Sequence, residues 1–219
     1  MDELRRTYHH DLEAARGELA RLAALVAELI PRATAVLLDG DLEGAEYIIR
    51  GDEEIDARCV DLEEQCIRIL ALQSPVATEL RQVVALLKMI AEVERSGDLV
   101  RNICKAARRI YGHDLDPKLR GIINRMGEQA QALYLAAIDA FVENDAAKAA
   151  ALDDMDAYLD ALQKQFIQVI FESHAHPGGS FPWLNQAQRR GVTVKLFEPD
   201  HASAEGNLAR IRELITPRT

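Results

Sequence analysis

Two pairs of carboxylates stand four residues apart in the first half of the chain, Asp52 with Asp56 and Glu94 with Asp98. Residues at i and i+4 share one face of a helix, so each pair presents two acidic groups side by side. Their neighbours sharpen the point. Ala45, Ile48, Asp52, Ile55, Cys59, Leu62, Cys66 and Ile69 follow one another in steps of three and four, and so do Val76, Leu80, Val83, Leu87, Ile90, Glu94 and Gly97. Asp52 and Glu94 therefore fall where a helix is expected to bury a hydrophobe. A buried carboxylate is costly unless it is paired, neutralised or bound to a cation. With a turn centred between Gln73 and Ser74, Asp52 and Glu94 come to one height on facing antiparallel helices, and Asp56 and Asp98 lie within about a turn of it. Four carboxylates so gathered make an oxygen-rich pocket suited to Mg²⁺, Mn²⁺ or iron. The alternative is a solvated acidic face, or pairing with Arg58, Arg95 and Arg101.

The elements that must position these groups are long helices. Ala, Leu, Glu and Arg dominate the sequence and aromatics are few, a mixture that favours helix because straight side chains lose little rotamer freedom there. Apolar spacing predicts a first helix over 3–38, kinked at Pro31. Asp39-Gly40-Asp41 reads as a turn and an acidic cap, opening a second helix over 42–72. Ser74-Pro75 is expected to cap a third, which runs to Tyr111 and stops at Gly112. Asp116-Pro117 repeats that signal for a fourth helix to Glu143, and Asn144-Asp145 opens a fifth that ends near Ser173. Connections this short force neighbouring helices to run antiparallel.

Laying 41–56 over 145–160 places Asp52 over Asp156 and Asp56 over Asp160, with the preceding turns in register. The expected fold is all-α, two tandem antiparallel three-helix bundles over 1–114 and 115–219. The final helix is expected to be irregular. Gly178, Gly179, Pro182 and Gly191 interrupt it, Val192 to Phe197 alternate like a strand, and helix can resume only after Ser203.

A net charge of −10 and a pI near 5.1 repel phosphate backbones, so nucleic acid is not an expected partner. The apolar stretch from Leu22 to Ile30 contains Glu28 and is too short to cross a bilayer. No basic leader with a small-residue cleavage site precedes it, and a cytoplasmic address is expected. Cys59 and Cys66 lie about 10 Å apart along one helix and cannot bond to each other. They and Cys104 read as buried reduced thiols. Gly-rich phosphate loops, nucleophile elbows and zinc-type Cys spacings are all missing from the sequence.

Several of these residues recur in a known pattern. Arg6-Thr7-Tyr8-His9, Asp52-x-x-Ile55-Asp56, the run Cys66-Ile67-x-x-Leu70-Ala71-Leu72-Gln73-Ser74-Pro75-Val76-Ala77-x-x-Leu80-Arg81, and Glu94-Arg95-Ser96-Gly97-Asp98-Leu99-Val100-Arg101-Asn102 together resemble the PhoU family of phosphate-signalling regulators. The resemblance covers residues 5 to 112 closely and implies six helices in two three-helix bundles. It implies metal-binding acidic pairs, carried here by Asp52 with Asp56, Glu94 with Asp98, and Asp156 with Asp160, for Mg, Mn, Fe or Zn. Arg101 and Asn102, one turn beyond, are expected to orient those ligands. The family's last helix carries Glu-Arg-x-x-Asp-His-Ala-x-Asn. Here Asp200-His201-Ala202 remains and Asp200 is the corresponding ligand, but Leu196 stands at the glutamate position, Glu198 is two residues away, and the asparagine is Asn207.

The resemblance further implies a regulator without catalytic activity. It links the ATPase subunit of a phosphate ABC transporter to a sensor histidine kinase, peripheral to membrane complexes, and a homodimer is expected. Two other readings compete with it. A ferritin-like di-metal oxidase needs Glu-x-x-His pairs, of which Glu198-Pro199-Asp200-His201 is the one match and Pro199 disfavours helix there. A metal-free helical scaffold would leave the acidic pairs solvated.

Overall fold

The computed structural model describes residues 2–175, with side chains over 7–170. The chain divides into two compact units, Met1–Gln163 and Lys164–Thr219. Five helices follow one another, α1 (Asp2–Asp39), α2 (Leu42–Gln73), α3 (Thr78–Ile110), α4 (Pro117–Glu143) and α5 (Ala146–Ala175), and no strand occurs among the described residues. The expected strand-like stretch at 192–197 and the expected last helix lie outside them.

The turns largely follow their residue chemistry. Gly40 takes φ 68°, a left-handed conformation that costs glycine nothing. Asp41 then caps α2 by accepting from the Gly44 amide at 2.9 Å. Gly112, at φ 80°, follows α3. Asp116 accepts from the amides of Lys118 and Leu119, with Pro117 in the first turn of α4. α1 stays helical through Pro31.

Two junctions differ from the sequence expectation. Ser74 does not cap α3. It sits beyond the end of α2 at φ 44° and ψ 52°, and α3 begins only at Thr78 after Ala77, itself at φ 50°. The residue before a proline is disfavoured in the right-handed helical region, so Ser74-Pro75 ends one helix instead of starting the next. Asn144 likewise closes α4 in the left-handed region, and Asp145 alone caps α5, accepting from the Ala147 and Lys148 amides.

The first unit is built around α1. Glu18 meets Arg58 and the Asp11 carbonyl meets Gln65, so α1 and α2 run antiparallel. The Tyr8 hydroxyl donates to the Glu79 carbonyl at 3.2 Å, so α1 and α3 start together and run parallel. α4 lies antiparallel along α1. The Arg16 guanidinium stacks 4.5 Å from the Phe141 ring and donates to its carbonyl, while at the other end Arg120 donates to the Leu38 carbonyl. Between these contacts, nearer the Arg120 end, α4 presents Gly127 to Thr34, and a Cβ there would stand 2.4 Å from the threonine hydroxyl. Leu12, Leu19, Leu22 and Val26 of α1 are buried with Leu62 and Cys66 of α2 and Val83 and Ile90 of α3 in one core.

The Glu18 bridge also sets an acid limit. Hydrogen bonding from Arg58 holds the Glu18 carboxyl below the usual glutamate value of 4.5, with Arg21 adding to it against the cost of burial. A carboxyl whose pKa is lowered on folding contributes stability above its unfolded value, and that contribution is lost as pH falls through the folded one. Wild type should therefore lose urea resistance below about pH 4.5 more steeply than Glu18→Gln. Parallel curves for the two proteins would remove the bridge from the acid response.

Candidate functional site

Four non-helical residues between α2 and α3 decide what the acidic pairs meet. Because 74–77 all belong to the connection, the turn is centred about two residues later than the sequence suggests. α3 shifts correspondingly against α2, and Asp52 lies level with Gly97 and Arg101 instead of Glu94. The buried stripe of α3 is Val83, Leu86, Ile90, Val93, Gly97, Val100, Cys104 and Ala107. Glu94 is accordingly not a core residue. Its side chain is exposed, one position beyond the buried Val93.

Asp52 is buried as the spacing predicts, with 3% of its surface accessible. The Arg101 guanidinium reaches it from α3, Nη1 donating to Asp52 Oδ2 at 2.5 Å. Nη2 of the same group bonds to Asp98 Oδ1, one turn earlier on α3. Gly97 gives the carboxylate its room, since a Cβ there would lie 3.3 Å from Asp52 Oδ1. Burial raises the Asp52 pKa above the usual aspartate value, Arg101 counters that, and the Asp56 and Asp98 charges add to the rise. Asp56 is half-buried, and its Oδ1, like the Arg101 Nε, is buried without a hydrogen-bond partner.

The remaining expected site residues stand apart from this cluster. Asn102 is exposed, and so are Asp156 and Asp160 on α5, while Asp200 lies outside the described residues. Arg58 is committed to Glu18. Apolar spacing places Gly97 on the buried stripe of α3 but does not bring it against Asp52. A glycine in mid-helix, one turn before a basic residue and level with a buried acid, is the signal that could have pointed to that contact.

A metal ion is the group that such carboxylates imply. Among the described residues, no three His, Cys, Asp or Glu side chains are gathered so as to hold one. Asp52 and Asp98 already take a cation, the guanidinium, and Glu94 points outward. The α2–α3 arrangement does not fit a bound metal. What it does chemically is tie two rods in register by a charge-assisted bridge.

A PhoU domain profile matches residues 19–107. The chain is 35% identical over 170 residues to the phosphate-specific transport system accessory protein PhoU homolog 1 of Mycobacterium tuberculosis H37Rv, covering 77% of each chain. It is 32% identical over 157 residues to the PhoU homolog of Aquifex aeolicus, covering 71% of this chain and 70% of the relative. The crystal structure of PhoU from Pseudomonas aeruginosa superposes with a TM-score of 0.72 at 26% identity, over 76% of this chain and 80% of that one. That of the phosphate transport system regulatory protein PhoU from Streptococcus pneumoniae gives 0.70 at 26% identity, over 76% and 78%.

Proposed function

The chain belongs to the PhoU family of phosphate-transport regulatory proteins, and from that premise we propose that it holds the phosphate-starvation response off while phosphate is plentiful. In this reading it is an adaptor, not a catalyst. It meets the ATPase subunit of a phosphate-specific ABC transporter on one face and a sensor histidine kinase on another, from the cytoplasmic side and as a homodimer. The observation that carries the reading is the match to proteins named as accessories of a phosphate-specific transport system, over 77% of both chains. The described helices support it: none is long and apolar enough to cross a membrane, and in the first unit α2, α3 and α4 all pack along α1. A rigid rod offers separated surfaces to two partners, and coupling between them requires only that each partner favour a different arrangement of the same molecule.

Deletion of the gene should raise expression of phosphate-scavenging genes in phosphate-rich medium, read as transcript level against wild type, and the full-length gene should restore repression. Unchanged expression in the deletion strain would count against the regulatory reading. Recovery of the transporter ATPase subunit with the tagged chain, from cells grown in rich phosphate, tests the partner directly.

A further inference from the structure

We propose that Arg101 takes the place of a metal ion at the α2–α3 acidic pairs, so that this site is held by an internal cation and does not depend on a bound one. The inference goes beyond the regulatory reading and does not rest on it. Asp52 is almost wholly enclosed and would be intolerable there as a lone charge. Something positive must lie beside it, and Arg101 does, bonding one carboxylate on α2 and one on α3 with two nitrogens of a single planar group. A divalent ion between two helices would neutralise the same charges and span the same gap.

Three features set the arginine and a metal in competition for this place. A hard cation needs about six or more oxygens around it, and one oxygen of Asp52 (Oδ2) and one of Asp98 (Oδ1) are already engaged by the guanidinium. A guanidinium cannot shed its proton in a protein, so it repels a second cation at contact distance whatever the pH. On the Gly97 side α3 lies close, since a single added Cβ would already stand 3.3 Å from Asp52 Oδ1 and 3.7 Å from Ile55 Cγ2, so the room there is on the scale of one atom and not of a coordination shell. The buried atoms without partners are one acceptor, Asp56 Oδ1, and one donor, Arg101 Nε, which is not a set of spare ligands.

The test uses the full-length chain purified without chelator. Metal content of wild type and Asp52→Asn is measured by elemental analysis, and thermal unfolding is followed with and without excess EDTA. The expected result is equal metal content in the two proteins and a wild-type Tm that EDTA moves by less than about 1 °C. Arg101→Met should lower the Tm by about 4 °C, with Arg101→Lys losing less because the charge remains. Lower metal content in Asp52→Asn than in wild type, or an EDTA-induced fall of the wild-type Tm, would overturn the proposal. Should Arg101→Met fail to fold, the comparison of wild type with Asp52→Asn still decides, because it needs no change at Arg101.

Discussion

Replacing Gly127 with leucine should lower the stability of the bundle by at least about 2 kcal/mol in urea unfolding, although leucine is the better helix former by close to 1 kcal/mol. The reason is the contact with α1. A Cβ at Gly127 would stand 2.4 Å from Thr34 Oγ1, 2.8 Å from its Cγ2 and 3.0 Å from its Cβ. Thr34 cannot simply turn away, because its hydroxyl is bonded to the Ile30 carbonyl at 2.9 Å and its Cβ is fixed to the helix. The two helices must separate, and the contacts at either end, Arg16 on Phe141 and Arg120 on the Leu38 carbonyl, strain with them. Thr34→Ala should recover part of the loss in the double variant, a coupling of at least about 0.5 kcal/mol. Strict additivity would mean that α4 is not seated at this point.

Leu22→Ala should cost about 3 kcal/mol, within the range for a large buried side chain removed from a core that relaxes only in part. Leu22 is wholly buried and lies on α1, the helix against which α2, α3 and α4 all pack. It belongs to the core shared with α2 and α3, and those two helices, which also pack on each other, cannot close on the cavity without giving up contacts between themselves. Leu72→Ala provides the control. Leu72 is 72% exposed at the end of α2, and its replacement should change stability by less than about 0.5 kcal/mol. Equal effects at the two sites would place the core elsewhere.

The two acidic pairs differ in how far their surroundings could be read in advance. Along α2 the apolar spacing identifies every buried residue of the stripe from Ala45 to Ile69, Asp52 included, because the opposite face is strongly charged and leaves one solution. Along α3 it does not. Val83 stands beside Val84, and Leu86 beside Leu87, so two neighbouring stripes satisfy the same period. The choice between them depends on where the helix begins. Ser74-Pro75 carries both a helix-start and a helix-stop signal, and only the αL backbone at Ser74 resolves it. That one junction moved Glu94 out of the core and brought Arg101 to Asp52. The likeness of 145–160 to 41–56 matched acidic positions, but Asp156 and Asp160 lie on an exposed face of an Ala-rich helix, where repeating letters do not demand burial.

Cys59, Cys66 and Cys104 line the interior of α2 and α3, and burial pushes each thiol up to about 11, with the Glu94 and Asp56 charges contributing at Cys59. Alkylating reagents and peroxides attack the thiolate, so the folded protein withholds both access and reactivity from them. The rate at which such a reagent consumes these sulfurs is therefore a clock for how often the helices part, a native gauge of breathing that needs no engineered label.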